Sequence, residues 1–184
     1  MGIEGLMKII RTERVAVNAE LGFKVFGIDA SIWMHKFKYV DGCELGIDRN
    51  HDGWKCAFVN TFKTLAELGK LVFVFDGKTP KCKEAEHLKR REGFSTMKEV
   101  ALKLLEVPEM RLEGKRMLVK LIEVSELSSQ LKTIIEDNGW EWKEAEYEAD
   151  TLLAIMSLKK EIDVIVTEDT DLVVYGCENI VSVL

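Results

Sequence analysis

Three short apolar segments that each end close to an acidic residue constrain the fold more than any other feature of the sequence. Residues 23–28 lead to Asp29, residues 71–75 lead to Asp76, and residues 162–166 are followed by Asp169. Apolar, β-branched runs of this length are typical of strands buried on both faces of a parallel sheet. The sequence therefore predicts at least three buried strands whose carboxyl ends carry acids.

Amphipathic patterns with helical spacing separate these strands. We predict helices at residues 31–37, 55–68, 82–92, 96–112, 118–138 and 146–159. Gly69 and Gly139 are expected to cap the helices before them, and Pro108 to break the fourth helix. Short strands are predicted at 140–143 and 179–184, and a connection at 39–53. Strands that alternate with helices indicate an α/β fold, with a mostly parallel central sheet and helices on both faces.

Composition limits the functions that are open to the chain. The net charge of −6 means that nucleic-acid binding would need local basic patches and bound metal. Four cysteines and three histidines are scattered without a CxxC pair or zinc spacing, which disfavours a Cys/His metal site and indicates reduced, intracellular thiols. No apolar run approaches the roughly 20 residues that a membrane span needs, so we expect no membrane association.

The acids at the strand ends form a candidate metal site. Because the carboxyl ends of parallel strands share one edge of a sheet, acids that are distant in sequence can converge there. The candidates are Asp29, Asp76, Glu148, Asp150, Asp169 and Asp171. Carboxylates in one crevice repel one another by several kcal/mol unless divalent cations lie between them. Oxygen ligands favour Mg²⁺ or Mn²⁺ over zinc.

Structural roles explain the same acids equally well when they are taken one at a time. An aspartate after a strand is commonly the N-cap of the next helix. Glu148 and Asp150 suit the first turn of a helix, where the dipole favours negative charge. The acids at 168–171 also suit a solvated turn. The residue pattern alone leaves a metal site and helix caps both open.

Five motifs carry a resemblance to a known family. In chain order they read MGIEGL, GIDASIWMHKF, FVFDGKTPKCKEAEHLKRRE, YEAD and TEDTDLVVYGC. Together they resemble the N-terminal part of the flap endonuclease and XPG-type 5′-nuclease superfamily, whose members have a PIN-like core. YEAD, WMHK and the final GC are more similar to the exonuclease 1 branch. The resemblance extends over essentially all 184 residues.

The resemblance implies a function and a cofactor. It implies a Mg²⁺-dependent, structure-specific 5′-nuclease that hydrolyses DNA phosphodiester bonds at 5′ ends, nicks or flaps, in DNA repair or recombination. The six candidate acids would hold two Mg²⁺ ions, for which Mn²⁺ can substitute, while Glu168 would be a capping or outer residue. The same resemblance implies a nuclear, monomeric protein; possible repair-protein partners cannot be read from this region.

Four further positions match DNA-contacting residues of the family. Gly2 would lie near the active site, His35 would stack on a base, and Lys83 and Arg90 would be catalytic cations that bind a phosphate at the base of a helical arch. Residues 78–91 hold six Lys/Arg against two Glu, a local charge of +4 in a chain of net −6. The alternatives are a solvated charged face for Lys83 and Arg90, and a helix histidine for His35.

The resemblance also implies a domain organisation. We expect one PIN-like nuclease domain over 1–184, with an N-terminal motif region at about 1–92, an arch or gateway at about 80–130, and an internal motif region at about 135–184. A seventh metal-binding aspartate and a helix–two-turn–helix of the family would lie downstream and are absent from this sequence. Two alternatives stay open: a truncated, non-catalytic DNA-binding or partner-binding domain, and a generic PIN-type ribonuclease.

Overall fold

The helices and strands alternate along the chain as predicted. A computed structural model describes residues 23–39, 53–91, 93–122 and 124–181. Strands β1–β5 are Lys24–Asp29, Gly69–Phe75, Glu141–Glu144, Val164–Val166 and Ile180–Val181. Helices α1–α8 are Ala30–Phe37, Gly53–Ala66, Lys81–Arg91, Phe94–Glu106, Arg111–Leu121, Val124–Asp137, Ala149–Leu158 and Asp171–Val174. A 3-10 turn lies at Pro108–Met110.

The five strands form one parallel sheet in the order β3-β2-β1-β4-β5. β1 pairs with β2 from Lys24 and Gly69 to Asp29 and Val74, and with β4 from Phe26 and Val164 onward. Because all four pairings are parallel, the carboxyl ends of the strands lie at the same edge. The predicted α/β class is confirmed, and β5 is an edge strand of the sheet formed by the described residues.

Helices cover both faces of the sheet. Val72 and Val74 of β2 lie in one buried cluster with Leu153 of α7. Phe73, which points to the opposite face, makes an edge-to-face contact with Phe62 of α2 at 5.0 Å between ring centroids. Gly27 permits the close approach of α7, because a Cβ atom there would lie 2.8 Å from Cδ2 of Leu153.

The chain divides into two compact units. The sheet unit comprises the described residues up to 32 together with 61–78 and 135–181, and the helical unit comprises 33–60 and 79–134 where described. In the helical unit, α4 and α5 pack closely: Ala101 of α4 is buried, and a Cβ at Gly114 of α5 would lie 2.8 Å from its carbonyl oxygen. Among the helices that the structure describes, none has the length and apolar content of a membrane-spanning segment.

Two details of the predicted elements are wrong. The helix predicted at 118–138 is interrupted at Ile122, whose extended backbone (φ −69°, ψ 116°) separates α5 from α6. Gly69 does not cap a helix, because α2 ends at Ala66 and Gly69 opens β2 opposite Lys24. Its α-carbon lies so close to the Lys24 backbone that any side chain would clash there.

Two other predicted boundaries are confirmed, and one more is wrong. Gly139 has the left-handed backbone (φ 71°) expected after a helix. Pro108 follows the extended Val107 and ends α4. The start predicted for the helix at 146–159 is wrong, because Glu148 has an extended backbone and the helix begins at Ala149. Most of the predicted connection at 39–53 and the end of the last strand lie outside the described residues.

Candidate metal centre

Asp29 is the last residue of β1 and lies at the carboxyl edge of the sheet. Its side chain is only 4% exposed. Oδ1 accepts hydrogen bonds from the backbone N–H groups of Ser31 (2.9 Å) and Ile32 (3.3 Å), in the first turn of α1. Oδ2 lies 3.5 Å from the hydroxyl of Thr167, which donates to it. Asp29 therefore caps α1 with one oxygen and faces the end of β4 with the other.

Asp76 directly follows β2 and also caps a helix, although a distant one. Its Oδ1 accepts the backbone N–H of Ala149, the first residue of α7, at 2.8 Å. Its Oδ2 accepts a short hydrogen bond from the Ser31 hydroxyl. The side chain of Glu148, the N-cap residue of α7, makes no capping hydrogen bond. Asp76 thus fixes the start of the helix that carries Asp150.

Asp169 lies in the turn between β4 and α8, and Asp171 is the first residue of α8. The backbone N–H of Asp169 donates to the Thr167 hydroxyl oxygen at 3.1 Å. Oδ1 of Asp169 in turn accepts the N–H of Asp171 at 3.1 Å. Asp169 is buried, whereas the neighbouring Glu168 is exposed. The turn therefore directs Asp169, and not Glu168, away from solvent.

The pKa values report that these acids crowd one another. Burial raises the pKa of Asp29 to about 7, and repulsion by Asp150 and Asp76 adds to the effect. Burial likewise raises the pKa of Asp150 to about 6. Asp150 is repelled by Asp169, Asp76, Asp171 and Glu148. The other five acids singled out in the sequence are thus within electrostatic reach of Asp150.

Two carboxylate oxygens in this group suit a cation. Oδ1 of Asp150 and Oδ1 of Asp171 are buried and have no hydrogen-bond partner in the described part of the chain. Buried polar atoms of proteins rarely lack a partner, so each of these oxygens is suited to bind a metal ion or to accept a hydrogen bond from water. All six side chains offer oxygen, the ligand that Mg²⁺ and Mn²⁺ prefer. The residues present therefore fit a hard divalent cation.

Asp150 lies within electrostatic reach of the other five side chains, but the six are not arranged as a coordination shell. Within residues 23–39, 53–91, 93–122 and 124–181, no three Asp, Glu, His or Cys side chains are grouped so that they could hold an ion.

The basic and aromatic candidates belong to the helical unit, whereas the acids belong to the sheet unit. His35 is exposed on α1, and Lys83 is exposed on α3. Arg90 lies on α3 two turns after Lys83, which places both residues on one side of that helix. Gly2 lies outside the described residues.

Sequence reasoning missed two residues that contact the acids, Ser31 and Thr167. Each lies two positions from an aspartate, in DAS at 29–31 and TED at 167–169. A hydroxyl residue two positions from an aspartate, next to a strand end, is the signal that could have pointed to them.

Comparison with known proteins identifies the family. The XPG N-terminal domain matches residues 1–97, and the XPG I-region matches residues 139–184. The chain belongs to the XPG family of nucleases. The resemblance carried by the five motifs is therefore confirmed, and all six acids of this XPG-family chain fall inside the two matched regions.

Relatives match nearly the whole XPG-family chain. Exodeoxyribonuclease 1 of Schizosaccharomyces pombe is 28% identical over 188 residues, which cover 98% of this chain and 32% of that protein. The chain spans about a quarter of Exonuclease 1 of Xenopus laevis, to which it is 27% identical over 184 residues. It therefore corresponds to a part of each of these longer proteins.

Solved structures share the fold. The catalytic core of Rad2 in complex with DNA substrate superposes with a TM-score of 0.60 and 20% identity, over 92% of this chain and 45% of that one. The Holliday junction-resolving enzyme GEN1, in complex with product DNA, Mg²⁺ and Mn²⁺ ions, gives a TM-score of 0.60 and 17% identity, over 98% and 36%. The predicted PIN-like fold is confirmed.

Proposed function

We propose that this XPG-family chain is the metal-binding part of a Mg²⁺-dependent 5′-nuclease that hydrolyses DNA at 5′ ends, nicks or flaps. The observation that carries the proposal is the position of Asp150, which is repelled by acids from separate strand ends. The partnerless oxygens of Asp150 and Asp171 add to it. Isolated caps or a solvated turn would not bring these carboxylates together.

The proposed ligands are the six acids, Asp29, Asp76, Glu148, Asp150, Asp169 and Asp171. When bound there, two Mg²⁺ or Mn²⁺ ions would supply an activated water and stabilise the charge that develops on the phosphate. Asp29 and Asp150 hold protons more tightly than ordinary carboxyls, so these protons must leave their Oδ atoms before a cation is held. The Mg²⁺ and Mn²⁺ ions in the GEN1 complex support a divalent cation as the cofactor.

The proposed DNA contacts are Gly2, His35, Lys83 and Arg90. Lys83 and Arg90 share one side of α3, where two cations can bind one phosphate and stabilise its charge during cleavage. The exposed ring of His35 can stack on a base. The DNA substrate in the Rad2 complex supports DNA as the substrate class. The domain parts predicted at about 1–92, 80–130 and 135–184 stay part of this proposal.

The cellular setting belongs to the same proposal. We place the protein in the nucleus, as a monomer acting in DNA repair or recombination. Its support is the family and the eukaryotic origin of the exonuclease relatives.

Cleavage assays test the function. DNA duplexes labelled at the 5′ end, with blunt, recessed and flap termini, are incubated with the chain in Mg²⁺ or in EDTA. We expect cleavage in Mg²⁺ only, with a 5′-phosphate product. Asp169→Asn should lower the rate by about 100-fold or more, since it removes a charge at the proposed centre. Asp137→Asn, an exposed aspartate at the end of α6, is the matched control and should cut normally.

Turnover that persists in EDTA or in Asp169→Asn would contradict the metal assignment. RNA that is cut in preference to flap DNA would instead favour a PIN-type ribonuclease.

A second candidate is a non-catalytic DNA-binding or partner-binding domain. It is favoured by the spacing of the acids, because no three Asp, Glu, His or Cys side chains among the described residues are grouped so that they could hold an ion. Calorimetric titration with Mg²⁺ separates the two candidates. A functional metal centre should bind Mg²⁺, and Asp171→Asn should bind it more weakly. Any cleavage of DNA by this chain excludes the binding-only role.

A further inference from the structure

Ser31 touches two of the six acids through two different groups. Its backbone N–H donates to Oδ1 of Asp29 at 2.9 Å. Its hydroxyl donates to Oδ2 of Asp76. Asp29 ends β1 and Asp76 follows β2, so this one residue links the acids of two neighbouring strands.

Thr167 makes the corresponding link on the other side of β1. Ile28 and Val166 are the last paired residues of β1 and β4, and Asp29 and Thr167 come directly after them. The Thr167 hydroxyl accepts the N–H of Asp169 at 3.1 Å, which leaves its single hydrogen for Oδ2 of Asp29 at 3.5 Å. Thr167 is 2% exposed, so its hydroxyl depends on these partners.

The two hydroxyl residues therefore join acids from three strand ends in one chain of contacts. It runs from Asp76 through Ser31 to Asp29, and from Asp29 through Thr167 to Asp169. The N–H of Asp171 extends it, because it donates to Oδ1 of Asp169 at 3.1 Å.

We propose that Ser31 and Thr167 are positioning residues that hold Asp29, Asp76 and Asp169 in place for a divalent cation and so set the affinity for it. This inference rests on the proposed function, since it takes the acids to be metal ligands. Hydrogen bonds from these donors keep the carboxylate side chains from rotating towards solvent. Less side-chain entropy is then lost when a cation binds, so the affinity is higher.

A purely local role for these hydroxyls makes a different prediction. A hydroxyl that accepts the N–H two residues later also forms an ordinary turn, and Thr167 could do only that for Asp169. Loss of the hydroxyl would then lower folding stability and leave metal affinity unchanged. The contacts of Thr167 with Asp29 and of Ser31 with Asp76 cross between strands, and a local turn has no need of them.

Mg²⁺ titration calorimetry on the whole chain tests the proposal without any nuclease assay. Thr167→Val keeps the shape and removes the hydroxyl, Thr167→Ser keeps the hydroxyl, and Ser31→Ala removes the link to Asp76. We expect Thr167→Val and Ser31→Ala to weaken Mg²⁺ binding by about 10-fold or more, as is common for residues that orient ligands. Thr167→Ser should stay near the wild-type affinity.

The matched control is Thr133→Val on the exposed surface of α6, where the hydroxyl donates to the Ser129 carbonyl within the same helix. It should bind Mg²⁺ as the wild type does. Wild-type affinity in both Thr167→Val and Ser31→Ala overturns the proposal, as does a Thr167→Ser affinity as weak as that of Thr167→Val. If Thr167→Val does not fold, Ser31→Ala decides alone. Absence of Mg²⁺ binding in the wild type would instead refute the proposed metal centre itself.

Discussion

Asp29→Asn should stabilise the metal-free protein at alkaline pH, although it alters a proposed ligand. The pKa of Asp29 is raised from 3.8 to about 7 in the folded chain. A raised carboxyl pKa means that the folded state holds the proton more tightly than the unfolded state. The stability that this proton provides is complete below pH 3.8 and is lost as the pH rises through 7.

The size of the effect follows from the shift. The rise of the Asp29 pKa from 3.8 to about 7 corresponds to a loss of about 4 kcal/mol in the free energy of unfolding at pH 8. This figure is an upper limit, because Asp29 and neighbouring acids such as Asp150 titrate together. The amide introduced by Asp29→Asn is never charged and avoids this loss. It keeps an oxygen that can accept the N–H groups of Ser31 and Ile32, and its nitrogen can donate to the Thr167 hydroxyl oxygen.

Urea unfolding of both proteins in EDTA at pH 4 and pH 8 measures the difference. We expect Asp29→Asn to be more stable than wild type at pH 8, by up to about 4 kcal/mol, and nearly equal to it at pH 4. Asp137→Asn, on the exposed end of α6, should show no such pH dependence. The reasoning is refuted if Asp29→Asn is less stable than wild type at pH 8, or differs from it equally at both pH values.

Three further predictions concern metal, DNA and packing. In thermal unfolding, Mg²⁺ at 100 times its dissociation constant should stabilise the wild type by about 2.7 kcal/mol and should stabilise Asp171→Asn far less. Equal stabilisation of both proteins would mean that Asp171 does not bind the metal. Lys83→Ala should weaken DNA binding in fluorescence anisotropy and lower the slope of log affinity against log salt by about 1. The control, Lys159→Ala at the exposed end of α7, should leave affinity and slope unchanged. Equal slopes for Lys83→Ala and the wild type would mean that Lys83 does not contact DNA. Gly27→Ala should cost about 1–3 kcal/mol in urea unfolding, because its Cβ would clash with the buried side chains of Ile162 and Leu153. A neutral result would mean that these two side chains can shift without cost.

The strand ends could be read from the sequence because burial and chemistry act on adjacent residues there. The apolar run before Asp29 fixes a strand, and parallel pairing then fixes the edge at which its acid lies. The break at Ile122 could not be read in this way. Leu121 and Val124 continue the apolar spacing of a helix across it, with no proline or glycine to mark it.

The prediction for Gly69 failed, and the hydroxyl contacts were missed, for a related reason. A glycine after a helical pattern fits a C-cap, but Gly69 is needed because the Lys24 backbone lies against it, and that approach is long-range. The contact between Thr167 and Asp29 likewise depends on the register of β1 against β4, which one sequence does not specify. The roles of the acids in binding metal stay a prediction from the sequence, supported by their convergence.

Asp76 has two separate roles: its charge belongs to the proposed metal centre, and its Oδ1 accepts the backbone N–H of Ala149. A family member that had lost nuclease activity would no longer need charge at this position, but it would still need an oxygen to hold the first turn of α7. Such a protein should tolerate Asn in place of Asp76 and not Ala. Oδ1 of Asp171 has no hydrogen-bond partner among the described residues. An inactive family member should therefore accept a wider range of residues at position 171. The residues found at these two positions would thus tell a degenerate paralogue from an active nuclease.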